Sequence, residues 1–214
     1  MRADALRNRD RIIAAARDLF AERGAEVPME EIARRAGVGV GTLYRRFPDR
    51  TALHRDVARH VAGQMRDVAV SATEEEPDAW SALRRFAERS CAMHIGPLKP
   101  VIDPERNAAL RGDAELEEAE RATFAAVTCL VERAQAEGAL RPDVGTGDVI
   151  MLIGRLTCSP DELPPGLEDL APARLVSIML DGLRAADPTV LPGAPITAAD
   201  LGAGAPTRPS SAGT

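Results

Sequence analysis

The sequence is poor in cysteine and in aromatic residues. Its 214 residues contain one tryptophan, one tyrosine and three cysteines, and the cysteines lie far apart at positions 91, 129 and 158. An odd number of cysteines without CxxC spacing is untypical of a disulfide framework or a zinc module. No run approaches the roughly 18 uninterrupted apolar residues of a membrane helix, and the first residues do not resemble a signal peptide. We therefore expect a cytoplasmic protein that binds no membrane, no metal and no cofactor.

The sequence also lacks the common motifs of enzymes. It contains no glycine-rich phosphate loop after a strand, no HExxH and no GxSxG, and its only histidines are His54, His60 and His94. No segment has the period-two alternation of a β-strand. These absences predict an all-α protein without catalytic residues.

Charge is distributed unevenly along the chain. The net charge is −6, yet residues 1–60 carry 13 arginines against 9 acidic residues, a net charge of +4. The remainder carries a net charge of −10. A basic end on an acidic body favours contact between that end and a polyanion such as DNA.

Apolar residues that recur at three- and four-residue steps predict about nine helices. Proline, glycine and aspartate mark their ends. The predicted ranges are 6–23, 28–36, 40–47, 50–72, 78–94, 104–111, 114–137, 147–158 and 172–186. The stretch beyond residue 187 is rich in Pro, Gly, Ala, Ser and Thr, which predicts a disordered tail over 188–214.

Two short helices separated by Gly37 form a predicted helix-turn-helix, whose second helix enters the major groove of DNA. Glycine suits the turn because a positive φ costs it little. The residues expected to pack between the helices are Ile32, Ala36, Val38, Leu43 and Phe47. The residues left on the outer side or its flanks are Val40, Gly41, Thr42, Tyr44, Arg45 and Arg46.

This segment closely resembles the TetR family of transcriptional regulators. The matching residues are Ile13, Ala16, Phe20 and Gly24 in the first helix, then Ile32-Ala33, Ala36-Gly37-Val38, Gly41-Thr42-Leu43-Tyr44, Phe47, Arg50 and Ala52-Leu53. The resemblance implies that Thr42, Tyr44 and Arg45 touch phosphates and base edges, and that Arg50 holds a phosphate. Arg45 is the favoured reader of a base, because a guanidinium can pair with guanine O6 and N7 together.

The chain departs from the family pattern at three positions. Gly39, Val40 and Val27 stand where many members carry polar or basic groups. Some phosphate contacts must therefore come from elsewhere, and the candidates are Arg2, Arg7, Arg9 and Arg11, which equally fit a solvated helix end. Val40 is suited to contact a thymine methyl group.

The resemblance also implies a domain organisation. Residues 1–50 would bind DNA, and residues 51–187 would bind an effector and a second copy of the chain. The last two helices, including Leu180, carry more apolar surface than one inward stripe needs, which favours a homodimer. A pseudo-palindromic operator matches such a dimer. Most family members are repressors released by an effector, although an activator, or a body that binds a protein instead, stays open.

An effector pocket is expected between the helices of the body. Its predicted lining residues are Met65, Phe86, Cys91, His94, Phe124 and Thr128. None of them is permanently charged, so the sequence favours a small, largely apolar effector. Cys91 and His94 lie one turn apart, but no third ligand has suitable spacing, and a packed cysteine beside an ordinary histidine is favoured over a metal pair.

Overall fold

The computed structural model describes residues 2–24, 26–93, 110, 112–156, 170–184 and 189–201. Within these ranges the regular structure is helical and comprises eight α-helices. They are α1 (Arg2–Arg23), α2 (Met29–Arg35), α3 (Val40–Arg46), α4 (Arg50–Glu75), α5 (Ala79–Ala92), α6 (Ala114–Ala136), α7 (Thr146–Leu156) and α8 (Leu170–Leu183), and a short 3-10 helix (Ala199–Leu201) follows. The expected all-α fold is confirmed. None of the described helices is long and apolar enough to cross a membrane.

Aspartate side chains cap three of the longer helices. Each accepts a hydrogen bond from the backbone N–H three residues further on, which satisfies a donor that has no partner within the helix. The caps are Asp49, Asp78 and Asp113, at 2.7, 2.8 and 2.9 Å from the nitrogens of residues 52, 81 and 116. The predicted break before the fourth helix therefore coincides with a true cap.

The predicted helix ends differ from the observed ones by a few residues. α8 begins at Leu170 and not at Pro172, because a proline in the first turn removes no intrahelical hydrogen bond. α4 continues to Glu75, beyond the predicted end at residue 72. The predicted helix over 104–111 lies outside the described residues except Leu110, which is helical.

The N-terminal head consists of α1, α2, α3 and the first turns of α4 around one apolar cluster. Leu43 of α3 and Ile32 of α2 are fully buried in it, together with Leu19 of α1. Leu53 and Val57 of α4 belong to the same cluster. Because burial of apolar surface is the main stabilising term, the start of α4 is held by the head.

The body has a second apolar cluster, formed by α4 to α8. Phe86 of α5, Leu130 of α6 and Ile153 of α7 are almost completely buried in it. Fully buried Ala69 and Ala72 belong to the same cluster at the far end of α4. α4 therefore contributes to the cores of both the head and the body.

The C-terminal segment departs from the sequence prediction. The expected disordered tail is wrong for residues 189–201, which pack against the start of α7. Gly147 N–H donates to the Ile196 carbonyl at 2.8 Å, and Ile196 N–H donates to Asp148 Oδ2 at 3.0 Å. The composition of this segment misled the prediction, since the segment is held mainly through backbone groups and needs few bulky side chains.

Candidate nucleic-acid interface

The turn between α2 and α3 sets the angle of the helix-turn-helix. Gly37 adopts a φ of +63°, a conformation that costs glycine little. The Val38 N–H then donates to the Ala33 carbonyl at 3.0 Å and closes the end of α2. Leu43 and Phe47 are buried at 0% and 2% exposure, as the sequence predicted, so α3 packs on the head through one side only.

The opposite side of α3 carries the predicted DNA contacts. Successive residues of an α-helix are about 100° apart, so Arg45 lies nearly opposite the buried Leu43. Gly41 and Thr42 flank Arg45 on this outer side. The three remaining residues lie on the two flanks: Val40 and Tyr44 on one, and Arg46 on the other. Val40 and Tyr44 are 40% and 41% exposed, which leaves them accessible to DNA.

Tyr44 is held towards α2 by an acidic neighbour. Its Oη donates a hydrogen bond to Glu30 Oε1 at 3.2 Å. Partial desolvation and the charge of Glu30 raise the pKa of Tyr44, so the phenol keeps its proton at neutral pH. A phenol has a single O–H, so donation to a phosphate oxygen would require Tyr44 to release Glu30.

Arg45 and Thr42 are linked across one turn of α3. Arg45 Nη2 donates to Thr42 Oγ1 at 3.2 Å, and Arg45 is exposed. A guanidinium has five N–H donors, so donors remain for a base edge after this bond is made. The pair presents an oriented polar group at the centre of the outer side.

Arg46 lies apart from this group. It lines an open cleft of about 430 Å³ between the head and the body, together with Arg9, Arg59 and His60. Leu6, Asp56 and Glu115 complete the lining. The structure therefore brings Thr42 and Arg45 together and separates Arg46 from them.

Arg50 lies at the first position of α4 and is half-buried. Its Nη1 donates to the Val27 carbonyl at 2.5 Å, which ties the loop before α2 to the start of α4. Asp49 caps α4 beside it. A phosphate contact by Arg50 remains a prediction.

The arginines at the chain start do not all face solvent. Arg9 Nε and Nη2 lie 3.0 and 2.9 Å from Asp56 Oδ2 on α4. Arg11 Nη2 donates to Asn8 Oδ1 at 2.6 Å within α1. Arg9 therefore neutralises a carboxylate within the protein. This makes Arg9 a weaker candidate than Arg11 for contact with a DNA phosphate.

Asp56 is a functional candidate that the sequence analysis missed. It is 7% exposed and also pairs with Arg59, which in turn contacts Glu115 at the start of α6. A chain of ion pairs thus joins α1, α4 and α6. The sequence did contain a signal for it: Asp56 is an acidic residue next to Val57, at a position of α4 that faces inward.

Most of the predicted effector residues lie in the core of the body. Phe86 and Cys91 belong to its apolar cluster, Met65 packs against the cluster, and Phe124 is 9% exposed. Burial raises the pKa of the Cys91 thiol to about 11, so the group is a neutral thiol at neutral pH.

Two further residues complete the predicted effector set. Thr128 shares a hydrogen bond of 3.0 Å with Thr146 at the start of α7. His94 lies outside the described residues. The effector role of the whole set remains a prediction.

Comparison with known proteins supports this architecture along most of the chain. Residues 12–57 match a family model for bacterial regulatory proteins of the tetR family, and residues 76–185 match one for the C-terminal domain of SbtR-like transcriptional regulators. An HTH-type transcriptional regulator of Staphylococcus aureus is 50% identical over 54 residues, which are 25% of this chain. The match spans only 29% of that relative's length.

Two solved structures resemble nearly the whole chain. A TetR transcriptional regulator of Streptomyces coelicolor is 31% identical, with a TM-score of 0.57 and coverage of 85% of this chain and 99% of that one. A TetR transcription regulatory protein of Mycobacterium vanbaalenii is 34% identical, with a TM-score of 0.57 and coverage of 86% and 98%.

The family matches, and not the fold alone, identify a DNA-binding transcription regulator and not an enzyme. The chain belongs to the TetR family.

Proposed function

We propose that the chain is a repressor that binds a pseudo-palindromic operator as a homodimer and is released by a small, largely apolar effector. The outer side of α3 carries this proposal, because Arg45 and Thr42 form an exposed, hydrogen-bonded pair on a helix whose other side is buried. One short helix reads few base pairs, and a two-fold dimer doubles the contact. We also propose that the protein acts in the cytoplasm.

The dimer is supported by apolar side chains that α7 and α8 leave uncovered. Leu152 of α7 is 39% exposed, and Leu175 and Ile178 of α8 are 46% and 62% exposed. Exposed apolar groups clustered on neighbouring helices are typical of an interface between proteins. A second copy of the chain would cover them, with α7 and α8 of each copy forming a four-helix bundle.

The effector proposal depends on α4, which lies in the cores of both the head and the body. A ligand that prefers one position of α4 would change the spacing of the two heads and thereby the affinity for DNA. The residues proposed to line its site are Met65, Phe86, Cys91, His94, Phe124 and Thr128. Their apolar character favours an apolar ligand with one or two hydrogen-bonding groups.

The DNA-binding part is tested by selection of genomic fragments with the purified full-length protein. The recovered fragments should share a sequence with two-fold symmetry, and sedimentation should give two chains per site. In a reconstituted transcription assay the protein should lower the amount of transcript from the adjacent promoter. A rise in transcript would identify an activator, and recovery of unrelated sequences would contradict operator recognition.

The effector part is tested by a screen of hydrophobic small molecules. An active compound should raise the melting temperature and release the operator. Phe124→Ala should lose both responses while still binding DNA. If only anionic metabolites release the operator, the proposed apolar site is wrong.

A further inference from the structure

Residues 189–201, called the strap below, run back across the start of α7. The Ile196 carbonyl accepts a hydrogen bond from the Gly147 N–H at 2.8 Å, and the Ile196 N–H donates to Asp148 Oδ2 at 3.0 Å. The same Asp148 oxygen accepts from the Gly145 N–H at 2.8 Å. One carboxylate of α7 therefore binds the strap and the residue that precedes the helix at once.

The strap approaches α7 closely because two glycines leave room for it. A Cβ atom on Gly145 would lie 2.1 Å from the Ile196 carbonyl oxygen. A Cβ atom on Gly147 would lie 2.6 Å from Ile196 Cγ2 and 2.7 Å from the Ile196 oxygen. Neither glycine has a positive φ. The strap, and not the backbone conformation, is therefore what excludes a side chain at both positions.

The beginning of the strap is held by a buried arginine. Arg141 is 5% exposed and donates to the Thr189 carbonyl, as well as to the Gly182 carbonyl of α8 at 3.4 Å. Asp143 fixes the guanidinium through two bonds of 2.6 and 2.9 Å and also accepts from the Leu191 N–H at 3.4 Å. The strap, the end of α8 and the loop before α7 are therefore joined at one point.

We propose that the strap fixes α7 against α8 and so completes the surface that binds a second copy of the chain. The two helices that the strap joins are those that carry the exposed Leu152, Leu175 and Ile178. The matched family model ends at residue 185, so the strap lies beyond the part of the domain that it describes. The inference rests on the homodimer proposed above.

The test uses the full-length Gly147→Ala variant. Alanine favours a helix over glycine, but its methyl group would occupy the space of Ile196, so the strap should be displaced. Hydrogen exchange should show loss of protection at the Ile196 amide. Sedimentation should show a dimer dissociation constant about tenfold higher, because the surface of α7 and α8 that the strap no longer fixes would have to be ordered on association.

Two glycine variants serve as matched controls. A Cβ atom on Gly154 of α7 or on Gly63 of α4 meets no heavy atom within 4 Å. Gly154→Ala should therefore leave the Ile196 amide protected, and Gly63→Ala should leave the dimer dissociation constant unchanged. Asp148→Ala removes the shared acceptor of the Ile196 and Gly145 N–H groups without adding volume, and it should likewise expose the Ile196 amide and raise the dimer dissociation constant.

Each of three results would overturn a different part of the inference. An Ile196 amide that stays protected in Gly147→Ala contradicts the close contact itself. A displaced strap with an unchanged dimer dissociation constant contradicts its role in the dimer. A wild-type protein that sediments as a monomer at all concentrations contradicts the proposed homodimer, whatever the strap does.

Discussion

Arg9 Nη2 lies 2.9 Å from Asp56 Oδ2, so an ion pair ties the first helix to the fourth. The Arg9 and Asp56 side chains are 27% and 10% exposed, which limits screening of the pair by solvent. Arg59 binds the other oxygen of Asp56 and extends the contact to Glu115 of α6. Asp56 thus has two cationic partners, one of which also contacts the body.

Asp56→Ala should destabilise the junction between head and body. The substitution leaves Arg9 and Arg59 without their shared acceptor, and the free energy of unfolding should fall by about 1–3 kcal/mol. Asp67→Ala is the matched control, because Asp67 is also on α4 but is 69% exposed and, among the described residues, pairs only with the adjacent Arg66. It should change stability by less than about 0.5 kcal/mol. Urea denaturation measures both, and equal values for the two variants would contradict a special role for Asp56.

Arg45→Ala should alter the sequence preference of the protein. If Arg45 reads a base, its loss should relax the preference at one position of each half-site, at a cost of about 1–3 kcal/mol. Tyr44→Ala should instead weaken binding to all sequences alike, because a phosphate contact carries no sequence information. Fluorescence anisotropy on operator variants separates these effects. Unchanged binding by both variants would show that the groove-facing side of α3 has been assigned wrongly.

Local signals in the sequence predicted the head well. Asp49 caps α4 through a backbone N–H three residues further on, and Gly37 makes a turn through its own φ. Both features involve only residues that are close in sequence, so the sequence could predict them. Leu43 and Phe47 follow the helical period and are buried as expected. Contacts between distant segments left no such pattern. Arg9, one of the two partners of Asp56, is 47 residues away, and Ile196 meets Gly147 through backbone atoms.

The site residues were predicted less completely than the fold. Helical period places Arg45 on the outer side of α3, but it cannot show that Arg46 faces the cleft between head and body. The same limit applies to α8. Its apolar residues are numerous, and only packing within the chain separates the buried Leu180 from the exposed Ile178.

Val40→Ala should remove a requirement for thymine. Val40 begins α3 and is 40% exposed, so its methyl groups can contact the C5-methyl group of thymine in the major groove. Replacing that thymine by uracil should weaken binding of the wild-type protein but not of Val40→Ala. Uracil at a position outside the half-sites serves as the control. Equal affinities of the wild-type protein for both operators would show that Val40 makes no such contact.

Ile178→Glu should separate the dimer into monomers. Ile178 is 62% exposed in the single chain, so a charge there need not disturb the fold but would be buried unpaired in the proposed interface. Leu180, which the sequence analysis assigned to the dimer surface, is 5% exposed within the chain. Leu180→Glu should therefore lower the melting temperature first. Sedimentation and thermal unfolding distinguish the two, and a folded, dimeric Ile178→Glu protein would point to another interface.

Cys91 and Cys129 should differ in reactivity. Cys129 is exposed, whereas burial raises the pKa of Cys91 to about 11. The thiolate is the reactive form, so at pH 8 iodoacetamide should modify Cys129 and leave Cys91 largely intact.

Since a thiol of raised pKa keeps gaining thiolate as the pH rises, the rate at which Cys91 is modified should still increase between pH 9 and 11. An ordinary thiol, with a pKa of about 8.5, levels off in that range. Peptide mass mapping assigns the modified residues, and the two cysteines should react equally in denaturant. Rapid modification of Cys91 at pH 8 in the folded protein would contradict its burial.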